Sequence, residues 1–193
     1  MADLEFSLAS SYRSSGTFGL LCAARLAVVA EAAGTPVRDE MRRVISSMGG
    51  LRGGLDAQDL LTVEQFIDDV PVLDDPTSPV YFSCTAAMIA MDSIRDRSGP
   101  PERLAWRLSS NAMNAWNSCD RILRHDADLA NRLCDEMGLT LGEFEEDAQR
   151  DVLHGLTRAS DTEAFYVREL EQLDASRSRM ESIAAALARN ADW

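Results

Sequence analysis

The sequence predicts an all-α fold, a single domain over residues 1–193 built as a bundle of about seven or eight helices. Three observations carry that prediction. Apolar residues recur at helical spacing along most of the chain. No segment sustains the strict alternation of a half-buried strand. Proline and glycine fall at separated points that stop and start helices. There is no internal repeat and no low-complexity tract, and 193 residues are enough to bury a core without disulfides or metal.

Taken in order, residues 3–12 are expected to form a short first helix. The run SSGTFGLLCAARLAVVAEAAG follows, with caps near Ser15 and Thr17 and Gly34 as its stop. Arg25 and Glu31 interrupt its apolar face, so it reads as a buried helix and not as a membrane span. Thr35 and Pro36 cap and open VRDEMRRVISSM, which the loop GGLRGG at 49–54 ends. A fourth helix covers 56–69 and stops before Pro71, and VLDDPTSP is a turn-rich connection. From Tyr81, YFSCTAAMIAMDSIRD has small or apolar residues on nearly every side, which places it at the centre of the bundle. SGPP breaks the chain, ERLAWRLSSNAMNAWNSCDRIL resumes it, and the helical pattern runs on to Gly138. Residues 139–142 read as a short loop. The last third is one long helix or two consecutive ones, and Met88, Met91, Trp106 and Trp116 sit at helical spacing as core residues.

Charge narrows the function classes. The net charge is -13, and all 19 basic residues are arginine. The absence of lysine fits a GC-rich bacterial genome and excludes Schiff-base, P-loop-lysine and lysine-base chemistry. An acidic surface disfavours nucleic acid, where each neutralised phosphate needs a cation. A basic protein partner suits it better. The N-terminus has no basic region followed by an apolar one, and four unpatterned cysteines point to reduced thiols, so a cytoplasmic location is expected.

Three stretches resemble the YjaG-like family of all-helical bacterial proteins, which carry a domain of unknown function. They are FGLLCAARL (18–26), VEQFIDDVPVLDDPTSPVYFSCTAAMIAMDSI (63–94) and DVLHGLTRASDTEAFYVREL (151–170). The resemblance implies an all-α fold and supplies no catalytic residues.

The loudest local signal is CDRILRHDADLANRLC at 119–134. On one helix, Cys119 and Cys134 would lie within about 60° of each other but about 22 Å apart along the axis. They cannot share a metal or a disulfide. Both fall on an apolar stripe, while His125 turns to the opposite, wet face. His154 follows Asp151 at the spacing of a di-iron half-motif, but the second motif and the further glutamates are missing, so no metal is assigned. Glu163 interrupts an apolar stripe. Either it is buried against an arginine, or Ser160 to Glu163 form a capping box that kinks the chain at 159–161. His154, Asp151 and Glu163 are the candidate buried polar site. Asp68, Asp69, Asp74 and Asp75 flank the proline-rich loop and are the candidate partner surface.

No serine-hydrolase elbow, phosphate loop or cofactor motif occurs. Two histidines and no lysine leave few catalytic groups, which tilts the reading away from an enzyme. The expected function is a protein-interaction module, in its sharpest form an immunity-type inhibitor of a basic toxin. A pocketed enzyme or ligand binder and a homo-oligomeric structural protein (a homodimer, for instance) are the alternatives, and no membrane association is expected.

Overall fold

A computed structural model describes residues 4–32, 57–69, 79–123, 140–175, 181–183 and 185. The fold is all-α, with no strand among the described residues. A 3-10 turn at Phe6–Leu8 precedes α1 (Tyr12–Ala32), α2 (Ala57–Asp69), α3 (Pro79–Arg95), α4 (Pro101–Leu123), α5 (Leu141–Arg158) and α6 (Thr162–Ala175). The helix expected at 36–48, the connection at 70–78 and the continuation past Leu123 lie outside the described residues.

Every residue of α1 from Ser15 to Ala30 is buried. A helix without a wet side must be surrounded, and α1 packs against α3, α4, α5 and α6. It thus takes the axial place that the sequence suggested for the segment after Tyr81. That segment, α3, is buried over 82–87 and lies along α1, but Tyr81, Met88, Asp92 and Ile94 keep partial exposure. What lets the neighbours close on α1 is its small residues. A Cβ on Gly19 would sit 2.1 Å from Ser93 Oγ and 2.5 Å from Leu108 Cδ1, so α3 and α4 meet α1 where it has no side chain.

The helix ends are fixed by local chemistry, in places one to three residues from where periodicity put them. Ser11 caps α1, its Oγ accepting from the Ser14 amide at 3.1 Å. Ser15, expected as a cap, lies inside the helix, and its hydroxyl donates to the Pro101 carbonyl at 2.8 Å. Of the helix expected over 3–12, the described residues before α1 contribute only the 3-10 turn Phe6–Leu8, and Tyr12 already belongs to α1. α5 begins inside the expected loop, because Thr140 and Glu143 form a reciprocal capping box. Asp120 of α4 completes that end, accepting from Leu141 N at 3.0 Å and Gly142 N at 2.9 Å. The break at 159–161 is present. Its cap, however, is Asp161 and not Ser160, with Oδ1 accepting from Glu163 N at 2.9 Å. α6 then folds back so that the Phe165 ring covers Gly155, where a Cβ would approach it to 2.4 Å.

The corner between α3 and α4 is tied to the start of α1. Gly99 takes φ +84°, a left-handed turn that glycine adopts without strain. The Tyr12 hydroxyl donates to the Gly99 carbonyl, and the Arg97 guanidinium lies 5.3 Å over the Tyr12 ring. Asp96 accepts from Ser98 N at 2.6 Å and pairs with Arg107. The Ser98 hydrogen bonds, reinforced by Arg107, hold the Asp96 carboxyl down at about 2. Trp116 is fully buried, whereas Trp106 is 49% exposed and so is not the core residue expected. Ten residues turn a helix about 1000°, which leaves the two indoles roughly 80° apart.

Two outcomes follow. Replacing Gly19 by alanine forces a methyl into Ser93 and Leu108 and should cost about 1–3 kcal/mol in urea unfolding. Because its folded pKa lies below the unfolded 3.8, Asp96 contributes stability that is complete above about pH 4. That contribution should drain away as pH falls toward about 2, and the Asp96→Asn protein should lack this part of the acid dependence. The neighbouring Asp92 is shifted upward, chiefly by burial, so the wild-type minus Asp96→Asn difference is the quantity to measure.

Candidate functional site

Arg25 is the charge within the stretch of α1, residues 15–30, that has no wet face. Its Nε donates to Glu145 Oε2 at 2.6 Å and its Nη2 to Glu145 Oε1 at 2.8 Å. This is a forked guanidinium–carboxylate pair between α1 and α5, with side-chain exposures of 9% and 0%. Gln149, one turn along α5, donates to Glu145 Oε1 at 2.8 Å and accepts from Ser109 Oγ of α4 at 2.5 Å. Cys22 Sγ completes the cluster, 3.4 Å from Arg25 Nη2. Burial alone would weaken the arginine's charge, but the adjacent Glu145 carboxylate reverses that and keeps Arg25 firmly protonated. Burial likewise pushes the Cys22 and Cys119 thiols up, so both are held as thiols.

Arg25 of this pair lines a groove of about 260 Å³ bounded by α1, α5 and α6, whereas Glu145 does not reach it. Leu21, Phe144, Ala148, Val152 and Leu173 give it apolar walls, and Asp151, Glu169 and Gln172 give it polar ones. Phe144 is braced from behind by the buried Trp116 ring, edge-on at 6.4 Å. A second cavity of about 260 Å³ lies at the α3–α4 corner beside Ser98, Arg103 and Arg107. There Arg107 is already committed to Asp92 at 3.5 Å and to Asp96.

The residues named from sequence distribute unevenly around this geometry. Of His154, Asp151 and Glu163, only Asp151 reaches the groove. His154 is exposed on α5. Glu163 is half-exposed with Arg13 of α1 at 3.9 Å, so it finds a partner arginine without being buried. The three therefore do not form one buried polar site. The buried polar site is Arg25, Glu145, Gln149 and Ser109. Its signal was present in Arg25 as the break in an apolar run, and in Glu145 and Gln149 standing on the buried stripe of α5 with Val152 and Leu156. Asp68 is exposed near the end of α2, and Asp69 closes that helix. Asp74 and Asp75 lie outside the described residues, so the acidic cluster is placed only in part. Cys119 is fully buried on α4, as the helical arithmetic required, while His125 and Cys134 lie outside the described residues.

Among the described residues no group of three or more His, Cys, Asp or Glu side chains could hold a metal ion. No helix there is long and apolar enough to cross a membrane. Comparison with family models, with characterised proteins and with solved structures finds no match.

The buried pair has a measurable signature. Glu145→Gln leaves the Arg25 charge enclosed without its counter-ion and should lose about 3–5 kcal/mol. Replacing both, as Arg25→Met with Glu145→Leu, should recover most of that loss in denaturant unfolding, since two apolar groups carry no desolvation cost.

Proposed function

We propose that the protein is a non-enzymatic binding module for a basic protein partner, acting in the bacterial cytoplasm. Its sharpest form is an immunity-type inhibitor that covers a basic, nucleic-acid-cutting toxin. The observation that supports this reading most is the charge of the groove between α1, α5 and α6. Among the described residues that line it, the one cation, Arg25, is neutralised by Glu145, and the other charged groups are the carboxylates Asp151 and Glu169. Apolar walls beside Asp151 and Glu169, the latter also 3.3 Å from the exposed Arg168 guanidinium, match lysine and arginine, whose long stems are apolar and whose heads are charged. A net charge of -13 adds a long-range field that speeds the approach of a basic surface and repels nucleic acid. The resemblance to the YjaG-like proteins brings no residue roles and leaves this reading to stand on the groove.

The test is affinity capture from the native host with the wild-type protein as bait, followed by calorimetric titration of the partner so identified. A basic protein should be retained, with affinity that falls as salt rises. The Asp151→Asn, Glu169→Gln double variant should bind it at least about tenfold more weakly. Retention of a small molecule with no protein, or a double variant that holds the partner unchanged, would sink the reading.

A further inference from the structure

The floor of the groove carries a donor that the described chain does not use. The Nε and Nη2 atoms of Arg25 serve Glu145 and Cys22, and Nη1 makes no hydrogen bond among the described residues. Nor is Nη1 one of the fully enclosed unsatisfied atoms there, which are Thr17 Oγ1, Arg107 Nε and Trp116 Nε1. Nη1 is therefore not fully enclosed, and Arg25 lines the groove. A guanidinium N–H lining a largely apolar groove selects for an acceptor, because an occupant that covers it without one leaves the donor unsatisfied.

Charge decides which acceptor. A carboxylate reaching Nη1 would meet the Glu145 oxygens already bound to the same guanidinium at 2.6 and 2.8 Å, with Asp151 and Glu169 nearby. An ammonium or guanidinium group would meet Arg25 itself. A neutral amide oxygen suffers neither repulsion. The walls add a second requirement, an apolar stem between the acceptor and the solvent.

We propose that the groove receives from the basic partner a glutamine or asparagine side chain, its amide oxygen on Arg25 Nη1, while lysine or arginine residues beside it pair with Asp151 and Glu169. This rests on the binding of a basic partner proposed above and names the contact that makes that binding selective. Cations bring the partner in; the amide tells it from other basic surfaces. Unlike the rim pairs, which salt screens, a contact from a neutral amide is little affected by ionic strength.

Nitrogen-15 NMR of the whole protein separates the two layers. The probes are acetylated, amidated tripeptides of arginine–X–arginine, with X as glutamine, leucine or glutamate. The readouts are the Arg25 Nε–H resonance for the floor and the backbone amides of Asp151 and Glu169 for the rim. The glutamine peptide should shift all three saturably and bind about tenfold more tightly than the leucine peptide, which has the same charge and no acceptor. The glutamate peptide should leave Arg25 unmoved. Ala148→Leu fills the groove from a half-buried wall position without touching the ion pair, and should abolish the Arg25 response. If the rim responds while Arg25 is silent, or if all three peptides move Arg25 alike, or if Ala148→Leu changes nothing, the amide contact is wrong and the basic-partner reading stands. If the rim is silent toward every peptide, both fall.

Discussion

A charged side chain on a helix buried all round has nowhere to put its charge except against another part of the same chain. Arg25 is in that position, and the fold is arranged around its answer. Glu145 meets it from α5, Gln149 holds Glu145, and Ser109 of α4 holds Gln149. Three helices are thereby locked to one register. Sliding α5 by a turn, about 5.4 Å, would leave two enclosed ions apart, at several kcal/mol for each. A buried ion pair of this kind adds little net stability over an apolar pair of equal volume. Its physical effect is to make the neighbouring arrangements worse.

The same constraint explains why α5 starts where it does. Glu145 must be held within 2.8 Å of Arg25, and it lies only one turn into α5. The first turn of a helix frays unless its free amides are met. Here all three leading amides are met, Leu141 and Gly142 by Asp120 and Glu143 by Thr140. Gly142 is part of the same solution, since a Cβ there would come within 2.6 Å of Asn117 Oδ1 and push the helix off α4. The elaborate capping thus serves the rigidity of the carboxylate that follows it.

How much of this can be read from the letters alone depends on whether the information is local. Helix identity is local, and the spacing of apolar residues marks α1 to α4 within a few residues. Capping is local too, yet it moved both ends of the last third. Thr140 to Glu143 formed a box inside a stretch that looked like loop, and Asp161 outcompeted Ser160 for the start of α6. Partner choice is not local. Arg25 announces a buried charge, but its counter-ion stands 120 residues away. Periodicity shows that Glu145 and Gln149 lie on the inner stripe of α5 without saying which helix they face. The reverse error has the same root. Asp151, His154 and Glu163 are close in sequence and drew attention as a set, whereas the helix turns His154 outward and the break at 159–161 carries Glu163 off to Arg13.

The pairing of Arg25 with Glu145 also sets what the groove can discriminate. An unpaired arginine at its floor would attract any anion and would give the slot the opposite sign to the rest of the surface. Paired with Glu145, the guanidinium keeps its charge, its geometry and its unused N–H, but the pair as a whole is net neutral, which would favour a dipole over an ion as its contact. On the proposed reading, ionic selection would fall to Asp151 and Glu169 and to the acidic charge as a whole. These two layers act over different ranges. The charges are felt out to a Debye length, about 8 Å at physiological salt, and govern encounter. The Arg25 contact would act only at short range and would govern how long an encounter lasts. On the proposed reading, a surface of this charge alone would bind basic proteins indiscriminately, and the charge-compensated donor of Arg25 in the groove would allow one of them to be preferred.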